Sequence, residues 1–209
     1  MTSHPHSVNS ERFRALRTNL LFAQRTQGIK SVLIISSVLS EGKSFVAVNL
    51  ATVLAQTNKK VLLVDADLSK PTLHTILNLE NEEGLTSLQL EDSLDADEVI
   101  QFASTSNLHF LPSGPSPSNS SKLLMKRLKW RYDFIIYDTS PAMVTDSSVL
   151  ASDTDGVLLV VRHDYTKKDD ILNASKKFKT INANILGYIY NDISSADFSV
   201  RQRYYLKDV

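Results

Sequence analysis

The residues that could do chemistry fall into two groups, Gly42-Lys43-Ser44 and the aspartates Asp65, Asp67 and Asp138. Gly42-Lys43-Ser44 follows an apolar, β-branched run (Val32-Leu33-Ile34-Ile35) and a short polar loop, and opens a helical pattern through Val46, Leu50 and Leu54. A strand, a tight loop and a helix beginning at Gly-Lys-Ser form the context of a phosphate-binding P-loop. N–H groups of the loop and first helical turn have no intrahelical partner and converge where the helix dipole also favours an anion. Lys43 then reaches the β- and γ-phosphates, and the Ser44 hydroxyl ligates Mg²⁺. Ser37 occupies the place of the motif's usual first glycine. Of the carboxylates, Asp65 and Asp67 close the buried-type run 60–67, and Asp138 closes the run 132–137. Alternation along a strand puts Asp65 and Asp67 on the same side, as for two groups aimed at one ion. An apolar strand ending in aspartate is also the form of the second Mg²⁺-binding element in P-loop enzymes.

An open parallel sheet delivers such groups together at the carboxyl ends of its strands. The pattern predicts a first helix over 10–24 with Ser10 as N-cap and Phe13, Leu16, Leu20 and Leu21 inward. Glu11, Arg14 and Arg17 recur every third residue along its polar side. Strands follow over 32–36, 60–67, 108–111, 132–137, 156–161 and 185–190, with the P-loop helix over 43–56. Further helices are expected from Pro71, over 84–90 and 96–103, over 121–131 with Leu123, Leu124 and Leu128 inward, and over 167–181. Alternating strands and helices imply an α/β fold, a doubly wound, mostly parallel sheet flanked by helices. Residues 1–193 form one domain, and 194–209 a flexible tail bearing Tyr204 and Tyr205.

Lys+Arg and Asp+Glu are both 23 in 209 residues, so no general positive field exists to hold nucleic acid. Absence of cysteine excludes thiolate catalysis and disulfides. No apolar stretch approaches a membrane span, and MTSHPHSVNS lacks a signal peptide's apolar core, which makes the cytoplasm the expected compartment.

With these motifs in place, the chain resembles the bacterial tyrosine kinases that control capsule and exopolysaccharide synthesis, within the P-loop group that includes septum-site and partition ATPases. Glu11-x-x-Arg14-x-x-Arg17 is similar to that family's amino-terminal element, 36–44 to its P-loop, 61–67 to its second aspartate motif and FIIYDTSP (134–141) to its third. LPSGPSPSNSSKLL (111–124) follows the family's loop and helix, and Asn191 matches an asparagine placed near the adenine.

The resemblance implies an ATP-dependent protein-tyrosine kinase that phosphorylates its own tail at Tyr204 and Tyr205, and other tyrosine-bearing proteins. ATP would be held by Ser40, Glu41, Gly42, Lys43, Ser44, Phe45 and Asn191, and Mg²⁺ by Ser44, Asp67 and Asp138. Asp65 is the best candidate base for a tyrosine hydroxyl, with the roles of Asp65 and Asp67 interchangeable at this stage. Glu11, Arg14 and Arg17 would pack subunits into a homo-oligomeric ring. A separate transmembrane adaptor would activate the protein at the inner face of the membrane. Departures from the family are Leu39 and Ser40 for Pro and Gly, Phe45 for Thr, and Ser69 for an arginine, beside which Lys70 offers a point charge without the bidentate fork. Two other readings compete: a partition- or septum-type ATPase switch, and a weakly catalytic regulator that binds ATP to assemble.

Overall fold

The computed structural model describes residues 8–90, 94–103, 107–115, 128–142 and 145–192. Seven strands form one sheet: β1 (Ser31–Ser36), β2 (Val61–Ala66), β3 (Gln101–Phe102), β4 (Leu108–Leu111), β5 (Phe134–Thr139), β6 (Gly156–Arg162) and β7 (Ile185–Asn191). Their spatial order is β3-β4-β2-β5-β1-β6-β7, parallel throughout except that β3 runs antiparallel to β4. β1, β2 and β5 are buried at every position, which is why they read as continuous apolar runs and not as alternating ones.

One face of the sheet carries α1 (Val8–Gln27), α2 (Lys43–Ala55) and α3 (Leu73–Leu77); their residues pack with Val32, Ile34, Leu63 and Ile136. The other face carries α4 (Ser87–Leu90), α5 (Ala96–Val99), α6 (Thr145–Asp153) and α7 (Lys168–Thr180), over Leu33, Ile35, Val64 and Tyr137. α2 lies between the sheet and α1 and buries residues on all sides.

Several expectations are corrected. Ser10 is not an N-cap, because α1 already runs from Val8 and Ser10 is buried within it. Pro71 precedes the N-cap of α3, Thr72, instead of opening the helix. The helix expected over 96–103 stops at Val99: Asp95 and Glu98 form a capping box that starts one turn, then Ile100 turns extended and β3 pairs with β4. α6 was not expected, since its sequence TDSSVLASD is polar and offers only Leu150 and Ala151 to the core. Of the helix expected over 121–131, Leu128 is buried as foreseen; Leu123 and Leu124 lie outside the described residues, as do the tail and Tyr204 and Tyr205. No helix among the described residues is long and apolar enough to cross a membrane.

Candidate active site

β1 is central, between β5 and β6, so the loop that leaves it opens above the carboxyl ends of several strands, where the strand order reverses. Gly42 caps α2 at φ 87°, and a Cβ there would come within 2.1 Å of the Asn191 amide nitrogen. The left-handed backbone demands glycine, and a Cβ would also push the Asn191 amide off the Glu41 carbonyl. Ser40 also adopts a left-handed φ of 63°, which explains why a glycine would suit that position.

The loop is braced from the far side of β1. Glu41, buried despite its charge, accepts the Val38 N–H at 2.8 Å and the Thr166 hydroxyl. Asn191 donates to the Glu41 carbonyl at 2.9 Å, and Arg162 donates to the Ser40 carbonyl at 3.3 Å while pairing with Asp192 at 2.9 Å. Arg162 and Thr166 were not singled out in the sequence; Thr166 carries no motif, and only its place just after β6 could have drawn attention to it. Phe45 does not face the sheet: half-exposed, it meets Phe13 of α1 edge-on at 6.0 Å. A cavity of about 890 Å³ opens between α1, the P-loop and β7, lined by Phe45, Gly42, Arg162 and Asn191 among others.

On the other side, Lys43 Nζ lies 2.9 Å from Asp67 and 3.9 Å from Asp138. Asp67 also accepts the hydroxyls of Ser69 and Ser140 at 2.8 and 2.7 Å. Burial opposes its ionisation, but Ser140, Lys43 and Ser69 outweigh burial and hold the carboxyl below its usual range. Ser69, in place of the family's arginine, thus serves as a support for Asp67. Asp138 is wholly buried, and no hydrogen bond of good geometry reaches either oxygen. Burial pushes it up to about 7, against the pull of Lys43 and Ser44.

Asp65 and Asp67 turn to different partners, although the alternation put them on one side. Asp67 lies beyond the end of β2, so strand alternation no longer governs it. Asp65 pairs in register with Asp138 and turns to backbone, accepting Thr72 N–H at 3.0 Å, Leu73 N–H at 2.9 Å and Asp67 N–H at 3.3 Å. Burial nevertheless leaves its carboxyl above the usual range. The structure thus brings together Lys43, Ser44, Asp67 and Asp138, and gives Asp65 a second task, holding the start of α3. Thr72 in turn reaches the Ser44 hydroxyl at 3.4 Å.

In α1, Glu11 and Arg14 form an ion pair one turn apart, whereas Arg17 turns inward to the Val53 carbonyl at 3.2 Å. The three residues therefore do not share one direction: Arg17 is turned towards α2.

The arrangement suits the oxygen-rich chemistry of a nucleotide: backbone N–H groups at the start of α2, one ammonium, one hydroxyl and a buried carboxylate 3.9 Å from that ammonium. A family model described as ParA, NUBPL iron-transfer P-loop NTPase, matches residues 28–203, and this fold implies nucleotide binding. The chain is 41% identical to tyrosine-protein kinase YwqD of Bacillus subtilis, over 99% of this chain and 90% of that protein. It is 32% identical to tyrosine-protein kinase wzc of Salmonella typhi, over 91% of this chain but 28% of that longer protein. Among solved structures, the chimerical protein CapA2B2 superposes with a TM-score of 0.86 at 36% identity, covering 92% of this chain and 88% of that one. A septum site-determining protein from Pyrococcus horikoshii, complexed with Mg-ADP, shares the fold at a TM-score of 0.69 and 22% identity. The chain belongs to the bacterial tyrosine-protein kinases of capsule and exopolysaccharide synthesis, built on the ParA-type P-loop NTPase fold.

Proposed function

We propose that the protein transfers the γ-phosphoryl group of ATP to tyrosine hydroxyls, beginning with Tyr204 and Tyr205 of its own 194–209 segment, and so regulates polysaccharide synthesis and export. The observation that carries this reading is Lys43, set between Asp67 and Asp138 at the start of α2, in a chain alike over nearly its whole length to a tyrosine kinase. Phosphoryl transfer needs positioning and charge neutralisation more than covalent help, and this site offers both.

The residues also fit Mg²⁺. The ion is usually held by one or two carboxylates together with substrate phosphates and water. Asp138, a buried carboxylate with no good donor, and the Ser44 hydroxyl are the groups that would hold it. Bound there, Mg²⁺ would neutralise charge on the transferring phosphate. Asp67 lies against Lys43 and would join Asp138 and Ser44 in holding the ion. Asp67, held by Ser69 and Ser140 beside Lys43, is the carboxylate that would accept the phenolic proton. Asp65 is the alternative base, though its three backbone contacts suit it better to holding 67–73 in place. Ser40, Glu41, Gly42, Phe45 and Asn191 shape the nucleotide site.

In this reading Glu11 and Arg14 would contact a second copy in a ring, with Arg17 supporting α1 on α2. The wzc relative carries its matching stretch within a much longer protein, which supports a membrane adaptor segment that brings this domain to the inner face of the membrane. Residues 1–193 are the nucleotide-binding domain in this scheme.

Incubation with Mg-ATP, read by intact mass and by phosphotyrosine mapping, tests the proposal. Phosphate on Tyr204 and Tyr205, lowered about 10²- to 10³-fold by Lys43→Ala, is the expected result. Release of inorganic phosphate with no labelled tyrosine would instead select the ATPase switch.

A further inference from the structure

We infer that Tyr165 is a further phosphoacceptor, and that its phosphate draws Arg162 off the P-loop and weakens nucleotide binding. The inference rests on the kinase reading above. Of the five described tyrosines, Tyr132 and Tyr137 are buried, and Tyr188 and Tyr190 lie within β7, where the ladder to β6 fixes the backbone. The Tyr188 hydroxyl is further engaged with Ser175 at 3.1 Å. Tyr165 differs. It is half-exposed, and it lies in the turn between β6 and α7 beside Asp164, whose φ is 53°. A turn can enter an active-site cleft in a way that a paired strand cannot.

In the transfer, the γ-phosphorus loses its bond to the oxygen bridging it to the β-phosphorus and gains one to the Tyr165 phenolic oxygen. ADP leaves, and the phenolic proton passes to a carboxylate or to water. The consequence follows from what Tyr165 touches. Arg162 stacks over its ring, 5.2 Å from the centroid. The same guanidinium holds Asp192 at 2.9 and 3.0 Å and the Ser40 carbonyl at 3.3 Å. A phosphate on that ring carries roughly −1.5 to −2 charges and three acceptor oxygens, and competes for the guanidinium against a single carboxylate and a carbonyl. Asp164 and Asp192 repel the new phosphate, which limits the effect without reversing it, because the guanidinium is the group stacked on the ring. Once Arg162 turns to the phosphate, Ser40 loses its donor in a backbone conformation that already disfavours a serine. The next residue, Thr166, holds Glu41, so displacement of this turn reaches the P-loop by two routes.

The test starts from protein treated with a tyrosine phosphatase, incubated with Mg-ATP and mapped by peptide mass spectrometry. Fluorescent ADP is titrated before and after, for wild type, Tyr165→Phe and the double variant Tyr204→Phe, Tyr205→Phe. Expected are phosphate on Tyr165 in wild type and in the double variant, and an affinity about tenfold lower after incubation in both, as loss of a charged hydrogen bond implies. Tyr165→Phe should keep its affinity. Phosphate on Tyr204 and Tyr205 with Tyr165 bare overturns the inference alone, as does an equal loss of affinity in Tyr165→Phe. No phosphotyrosine at any position overturns the kinase reading and this inference with it.

Discussion

Glu41 offers the sharpest test of how the nucleotide site is built. Its side chain is buried at 1% exposure, yet it touches no phosphate-facing group; it accepts the Val38 N–H at 2.8 Å and the Thr166 hydroxyl. Thr166 in turn accepts the Arg162 N–H at 2.9 Å, so its one proton is committed to Glu41. Glu41→Ala leaves two part-buried donors without their acceptor, each costing at most about 1–3 kcal/mol. If half of that total is felt as loss of P-loop order and not as global unfolding, nucleotide affinity falls roughly 5- to 100-fold, at about 1.4 kcal/mol per factor of ten. Thr166→Val removes only one of the two contacts and should cost about tenfold or less. The two changes share an interaction, so the double variant should resemble Glu41→Ala instead of multiplying the losses. Fluorescent-nucleotide titration beside a thermal melt separates local from global effects. Affinity within twofold of wild type in a folded Glu41→Ala protein would refute the idea that this brace shapes the site.

Other outcomes follow from the same contacts. Lys43→Ala should lower tyrosine phosphorylation by about 10²- to 10³-fold, the usual cost of removing one preorganised charge, with the fold retained by circular dichroism. Ser40→Gly should raise stability by up to about 1 kcal/mol in a denaturant titration, since glycine adopts φ 63° without a steric cost. Asp155 accepts Lys30 N–H, Ser31 N–H and the Ser31 hydroxyl and pairs with Lys129 at 2.7 Å; burial opposes its ionisation, but these donors win and hold its carboxyl below 3.8. A lowered folded-state value means that its stabilisation is full above about 3.8 and disappears as pH falls through the folded value. Asp155→Asn should therefore cost about 2 kcal/mol at pH 7 and much less near pH 2, read from urea midpoints at both.

How much of this was legible in the sequence depended on how local its cause is. β1, the Gly42-Lys43-Ser44 turn and α2 could be read directly, because an apolar run, a glycine and a helical pattern act within a few residues. Asp138 could be read for the same reason. The relation between Asp65 and Asp67 could not: period two holds only while the strand lasts, and β2 ends at Ala66, so Asp67 is released to Lys43 and the serines while Asp65 caps α3. Arg17 was misplaced because spacing within one helix says which residues share a side, not which helix that side meets. Arg162 and Thr166 are more than 100 positions from the residues they brace, and only the sheet order brings them near.

That sheet order gives the site a property that no single motif carries. β6 and β7 form the edge beyond β1, and their last residues do the bracing: Arg162 ends β6, Asn191 ends β7, and Asp192 follows at φ 60°. Asn191 holds the Glu41 carbonyl, and Asp192 holds Arg162, which holds the Ser40 carbonyl. The 194–209 segment therefore departs from the residues that support the P-loop. Edge strands have neighbours on one side only and are the least constrained part of a sheet. Asn191 and Asp192 thus act on residues 40 and 41 from the end of β7. Asp192→Ala isolates this link: it removes the carboxylate that orients Arg162 and touches nothing in the catalytic cluster. Its effect should appear as weaker nucleotide binding, by about two- to tenfold, with little change in melting, because a half-exposed ion pair contributes little to global stability.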